Sequence, residues 1–211
     1  MAELLLVRHG ETAWSAARRH TGRTDVPLTE HGRAQATALR TVLAEREAVD
    51  GPPALVVTSP LVRASETAQL AGLHNAEGRP RAIVDEDLVE WDYGAYEGLT
   101  AEEISTGLSR PWDIFEDGVA PGETPGETLE QVAARGDAVL RRVRPVLEDG
   151  GSVVLVAHGH LLRITAARWL GFDAAAGASL GLGAGSLSRL GVERGRPVLL
   201  GWNRQSLPDQ T

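Results

Sequence analysis

Three short polar clusters hold the residues best able to do chemistry in this chain: Arg8-His9-Gly10, Thr58-Ser59-Pro60 with Arg63 just beyond, and His158-Gly159-His160. An imidazole beside a guanidinium, on backbone that glycine opens to close approach, suits an anion and suggests a histidine that attacks phosphorus. Taken alone, Arg8-His9-Gly10 reads sooner as an ordinary loop with a hydrogen-bonded His than as a nucleophile. The three clusters together say more. Each ends an apolar run: Leu4 to Val7, Ala54 to Thr58, and Ser152 to Ala157. Such runs read as short buried strands, and the carboxyl ends of parallel strands are where α/β sheets gather ligands. If these strands are parallel neighbours, Arg8, His9, Arg63 and His158 surround one crevice. Helix N-termini following Pro60 and His160 would add N–H groups for an anion. Of the two histidines after the third strand, His158 is expected to face the crevice and His160 to be structural. Arg63 also has a plainer reading as a surface partner of Glu66.

A proton donor is the remaining requirement. Asp85, Glu86, Asp87, Glu90, Asp92 and Glu97 crowd one acidic, aromatic segment. A magnesium site is one reading of so many oxygen ligands. It is the weaker one, because arginine already supplies positive charge for a phosphoryl group. A single carboxyl buried among Trp91, Tyr93 and Tyr96 would be kept protonated and serve better as an acid.

The elements that must position these groups are read from periodicity. Thr29 caps a helix running to about Glu47, and Ser59-Pro60 opens one reaching about Ala71. Ile83-Val84 is a short strand, residues 100–107 a short helix, and Glu127 to Leu147 a long one after a Pro/Gly-rich excursion. Leu161 to Leu170 is helical. Leu187 to Val192 and Pro197 to Trp202 form a hairpin around Glu193 to Arg196. Strands alternating with helices imply an α/β sandwich. At 211 residues the chain is expected to fold as one domain, its last few residues a disordered tail.

Composition narrows the chemistry. The chain has no Cys and no Lys, and all 21 basic residues are Arg. Thiolate nucleophiles, Schiff bases and a P-loop lysine are therefore excluded. A formal charge of −8 argues against nucleic acid or an anionic membrane as the main partner. With an apolar run of only four residues before Arg8 and no long apolar window, a cytoplasmic protein without leader or membrane span is expected. The C-terminal hairpin reads either as cover for the core or as the face of a homo-oligomer.

Read together, Arg8-His9-Gly10-Glu11-Thr12, Gly22, Asp25, Pro27-Leu28-Thr29, Thr58-Ser59-Pro60 with Arg63 and Thr67-Ala68, Glu90, Glu97-Gly98 and His158-Gly159-His160 resemble the histidine phosphatase (phosphoglycerate-mutase-like) superfamily. The resemblance spans nearly the whole chain. It implies a three-layer α/β/α sandwich with a mostly parallel sheet, and neither metal nor cofactor. It makes His9 the phosphorylated nucleophile, Glu90 the acid/base, and Arg8, Arg63 and a protonated His158 the phosphate pocket.

Trp14-Ser15, Glu90 to Gly94, Tyr96-Glu97-Gly98, Pro111 to Ile114 and His158 to Arg163 further resemble the sedoheptulose-1,7-bisphosphatase-type and actinobacterial acid phosphatase members. That likeness implies a small-molecule phosphate ester, a sugar phosphate or bisphosphate, as substrate. His20, Thr21, Tyr93 and Arg163 would then line the substrate side. Arg163 is a candidate for a second anionic group. Many members carry Trp-Asn where this chain has Trp14-Ser15; the Ser15 hydroxyl can still donate to phosphate. A phosphoglycerate mutase is the alternative, disfavoured because no basic residue lies between Arg110 and Arg135. An inactive phosphate-binding module is a remoter one, since all five catalytic positions are filled.

Overall fold

Six strands form one mixed sheet in the order β3-β2-β4-β1-β5-β6. They are β1 (Leu4–Arg8), β2 (Leu55–Thr58), β3 (Ile83–Val84), β4 (Val153–Ala157), β5 (Ser186–Glu193) and β6 (Arg196–Gln205). The computed structural model describes residues 2–73, 82–205 and 207, so the expected C-terminal tail lies outside the described residues. Strands β1 to β4 run parallel, and β5 and β6 are antiparallel additions beyond β1. Register aligns the strand ends. Arg8 lies beside Ala157, and Thr58 beside Val156. The next residues of the three central strands, His9, Ser59 and His158, therefore leave the sheet at one edge.

Alternation along β1 sorts its side chains between two helical layers. Leu5 and Val7 pack with Leu39 and Leu43 of α2 (Glu30–Asp50) and with Ala64 and Ala68 of α3 (Val62–Leu70). Leu4 and Leu6 face the other layer, meeting Val132 and Val139 of α6 (Leu129–Glu148) and Leu161 and Ile164 of α7 (Gly159–Trp169). Three layers result, α/β/α, as the resemblance implies. Every β1 side chain but Arg8 is almost wholly buried, each contributing about 1.5–3 kcal/mol.

Helix starts are the least legible feature. Thr29 does cap α2, accepting the Gly32 N–H at 3.0 Å. Helix α3, however, begins at Val62 rather than at Ser59-Pro60, because Leu61 is still extended. Helix α7 begins at Gly159, two residues before its apolar periodicity, with an extended His158 ahead of it. The irregular stretch after Gly10 contains an unexpected turn of helix, α1 (Ala13–Ala16), closed by a Thr12–Ser15 capping box. The helix expected over 100–107 is α4 (Ala101–Ser105), and the Pro/Gly-rich excursion holds a further turn, α5 (Ile114–Asp117). At the hairpin tip, Arg194 (φ 51°) and Gly195 (φ 76°) make the left-handed pair a two-residue turn requires.

The loop leaving β1 lies backbone-to-backbone on the first turn of α2. A Cβ on Gly10 would stand 2.2 Å from the Gly32 carbonyl oxygen. That contact is with main chain and cannot rotate away. Gly10→Ala should therefore destabilise the protein by about 2 kcal/mol or more, lowering the melting midpoint by several degrees. An unchanged midpoint would show that this loop adapts freely.

Candidate active site

His9 sits one residue beyond β1 and is only 5% exposed. Its Nδ1 lies 2.7 Å from the Gly10 carbonyl, which can only accept, so Nδ1 carries the proton. The Nε2 lone pair is left for chemistry. Burial, then the positive charges of Arg63 and Arg8, hold the imidazole well below its ordinary pKa near 6.5. Those neighbours keep the imidazole neutral.

Beneath it, the His158 ring lies with its centroid 5.1 Å from that of His9. Arg63 Nε–H donates to His158 Nδ1 at 3.2 Å, and a guanidinium N–H has no other role than donor. His158 therefore carries its proton on Nε2, which donates to Ser59 Oγ at 2.8 Å. Burial and the charge of Arg63 act in the same direction, lowering its pKa well below normal. The expected imidazolium is thus corrected to a neutral tautomer with one donor.

Arg63 is wholly buried, not a surface partner of Glu66; Arg33 takes that place at 2.6 Å. Besides His158, Arg63 donates to the carbonyls of Thr24, Thr21 and Gly22 at 2.9–3.0 Å. Four hydrogen bonds occupy a side chain with five N–H groups. Arg63 is thus largely a scaffold for this loop, with one donor to spare. Arg8, by contrast, reaches the cleft directly and is braced by the Leu182 carbonyl.

Glu90 is 5% exposed, yet its surroundings are not the apolar pocket expected. Oε1 accepts the N–H groups of Trp91 (3.0 Å) and Leu161 (2.9 Å), and Oε2 accepts that of His160 (3.0 Å). The carboxyl thus sits on the N-terminus of α7. The His160 and Leu161 amides are thereby committed to Glu90, while Gly159, the first residue of α7, lines the cleft. At the start of α3 the Val62 N–H donates to Asp25 at 2.8 Å.

His9, Arg8 and Glu90 open on a cleft of about 640 Å³. Ser15, His20, Thr21, Tyr93 and Arg163 all line it. So does His160, against the expectation of a structural role: α7 starts early enough to turn His158 under the cleft and His160 into it. The Ser15 hydroxyl is occupied locally, accepting the Thr12 N–H and donating to the Thr12 carbonyl. Thr21 Oγ1 donates to the Arg19 carbonyl at 3.1 Å. Arg163 is fixed by the Gly177 and Ala178 carbonyls and lies 4.9 Å over the Phe115 ring.

Two further residues position the site: Arg135, which has no signature in the sequence, and Glu97, which belongs to the Glu97-Gly98 motif. Arg135, on α6, donates to the carbonyls of Asp87, Val89 and Glu90 and pairs with Glu127, tying down the acidic loop. Glu97 accepts the N–H groups of Gly22 and Thr24, the loop whose carbonyls hold Arg63. The other carboxylates are dispersed: Asp85 and Asp87 pair with Arg142, and Asp92 receives Gly94 and Thr124. Among the described residues no group of three His, Cys, Asp or Glu is placed to hold a metal ion, which leaves the magnesium reading without support.

Burial of uncharged imidazoles couples stability to pH. His9, His158 and His160 are each held well below 6.5, whereas in the unfolded chain they protonate near that value. Unfolding below pH 6.5 then takes up protons, so stability is lost as pH falls and these groups contribute no slope above it. Between pH 7 and 5.5 the three together should cost roughly 3 kcal/mol. A melting midpoint in phosphate-free buffer that did not fall over this interval would overturn the assignment.

Comparison with known proteins agrees with this geometry. The family model described as histidine phosphatase superfamily (branch 1) matches residues 4–205. An acid phosphatase of Mycobacterium tuberculosis is 41% identical over 195 residues, covering 91% of this chain and 87% of that protein. The sedoheptulose 1,7-bisphosphatase of Saccharomyces cerevisiae is 35% identical, covering 79% and 67%. Among solved structures, mycobacterial glucosyl-3-phosphoglycerate phosphatase bound to vanadate superposes with a TM-score of 0.78 at 32% identity, covering 96% of this chain and 99% of the other. Among the described residues no helix is long and apolar enough to cross a membrane.

Proposed function

We propose, from the premise that this chain belongs to the histidine phosphatase superfamily, that it hydrolyses small phosphate monoesters through a phosphohistidine on His9. The observation carrying this reading is the protonation pattern of His9: Nδ1–H committed to Gly10, Nε2 bare, and Arg8 and Glu90 on the same cleft. Nε2 attacks phosphorus in line, and the bond to the ester oxygen breaks. Glu90, taking up a proton as the ester binds, passes it to that oxygen. Arg8 and the spare N–H of Arg63 take the charge of the phosphoryl oxygens, with His158 holding the Arg63 guanidinium from beneath. Glu90, now a carboxylate, removes a proton from water, which attacks phosphorus and restores free His9 with release of phosphate.

Charge and size support an anionic ester with a substantial leaving group. Against a net charge of −8 for the chain, the cleft wall carries Arg8, Arg18 and Arg163 beside Glu11 and Glu90. Its 640 Å³ greatly exceeds what a phosphoryl group fills, leaving room for a sugar or an acid. A mutase reading draws on relatives such as a 2,3-bisphosphoglycerate-dependent phosphoglycerate mutase of Gloeobacter violaceus at 38% identity. Hydrolysis is favoured because residues 111–134 bring no basic group to retain a second anion.

Acid quenching during turnover of 32P-labelled ester tests the mechanism. The expected product is a phosphoprotein that is acid-labile, alkali-stable and mapped to His9, with phosphate release across mono- and bisphosphates. A faster phosphoryl exchange on 3-phosphoglycerate than phosphate release would replace the phosphatase with the mutase.

A further inference from the structure

Two imidazoles on the cleft wall take no part in the phosphoryl-transfer steps. His160 Nδ1 lies 2.7 Å from the Tyr93 hydroxyl. Tyr93 is nearly wholly buried, and its hydroxyl has no second partner among the described residues. Burial, reinforced by the Glu90 charge, pushes its pKa well above 10, so it keeps its proton and donates it to His160. Neutral His160 then carries its own proton on Nε2. His20 is the reverse case. Its Nδ1–H donates to the Leu99 carbonyl at 2.8 Å, leaving Nε2 as a bare acceptor.

The two rings are parallel within 5°, their centroids 6.2 Å apart. Tyr93 and Trp112 brace His20 edge-on, and Trp91 and Phe115 brace His160. Both residues line the cleft, and neither Nε2 has a protein partner among the described residues. Burial lowers the pKa of each, so neither presents a cation. His160 also sends its backbone N–H to Glu90, so the pair adjoins the group that protonates the leaving oxygen.

We propose that His20 and His160 are a specificity-determining pair that reads the hydroxyl groups of a polyol or sugar leaving group. His160 Nε2–H donates to one hydroxyl, and His20 Nε2 accepts from another on a neighbouring or next-but-one carbon. A hydroxyl is the group that satisfies either role, as a carboxylate or phosphate cannot donate to His20. Rigid, uncharged partners of fixed tautomer discriminate by leaving themselves unpaired when the hydroxyl is missing. The pair's role rests on the phosphatase reading and adds the class of ester it selects.

The test compares glycerol 1-phosphate with propyl phosphate, which shares its carbon skeleton but lacks both hydroxyls, with 4-nitrophenyl phosphate as a reference. The wild-type protein should prefer glycerol 1-phosphate in kcat/KM by tenfold or more. His160→Leu and His20→Leu should each cut that preference at least fivefold. Tyr93→Phe, which keeps the ring but releases the His160 tautomer, should cut it as well. A wild-type preference near one overturns the proposal without any variant, and so does a preference surviving all three substitutions. If wild type releases 4-nitrophenol no faster than His9→Ala, the phosphatase reading itself has failed instead.

Discussion

His9→Ala is expected to slow phosphate release from every ester by roughly four orders of magnitude. The reason is that nothing nearby can replace the lost nitrogen. The nucleophile is made by a chain of local constraints, Gly10 taking the Nδ1 proton and burial beside two arginines keeping the ring neutral. His158, whose ring lies beside that of His9, cannot stand in: it points its protonated Nε2 at Ser59, and its Nδ1 receives Arg63. Water attacking directly in the variant would gain only from the donors that remain. Steady-state phosphate release, with acid-quench labelling alongside, measures this. A variant that keeps more than about a hundredth of wild-type turnover would place the nucleophile elsewhere.

Glu90→Gln should separate the two chemical steps. A carboxamide cannot supply or remove the proton, which costs about a hundredfold to ten-thousandfold when a poor leaving group must depart. It also turns an N–H₂ toward an amide N–H that a carboxylate oxygen now accepts, at His160 or at Trp91 and Leu161. With alkyl phosphates the first step stalls and no intermediate accumulates. With 4-nitrophenyl phosphate, whose leaving group needs no proton, phosphorylation proceeds while water activation fails. Rapid mixing should therefore give a burst approaching one equivalent of nitrophenolate, then a slow steady state. Equal losses for alkyl and aryl esters, with no burst, would remove Glu90 from proton transfer.

The parts of this site legible in the sequence are those determined by local rules. Leu4 to Val7 and Val153 to Ala157 announce buried strands by their run of branched side chains, and the polar residues that end them are read directly. The parallel order of β1, β4 and β2 is only a condition at that level, and register then brings His9, Ser59 and His158 to one edge. Helix starts at α3 and α7 lie two or three residues from where periodicity puts them. At α7 that displacement is enough to hide His160, since two residues around a helix N-terminus exchange cleft for core. Arg135 is unreadable for a different reason, since one Arg on a helix face carries no pattern; at Glu97 the motif marks the residue but not the loop it holds.

By itself the sequence determined the chemistry available. Without Cys or Lys, a His and Arg repeated at strand ends leave phosphoryl transfer through histidine as the economical reading, and the motifs carry the family. The tertiary structure alone decided protonation and who is free to bind. His158 is neutral, Arg63 is largely committed, the α7 amides belong to Glu90, and His20 and His160 show opposite tautomers. Each of these rests on a hydrogen bond between residues far apart in the chain, such as Arg63 to Thr21, Ser59 to His158 and Glu90 to Leu161. A side chain's proton is set by the partner across from it, and periodicity along the chain does not specify that partner.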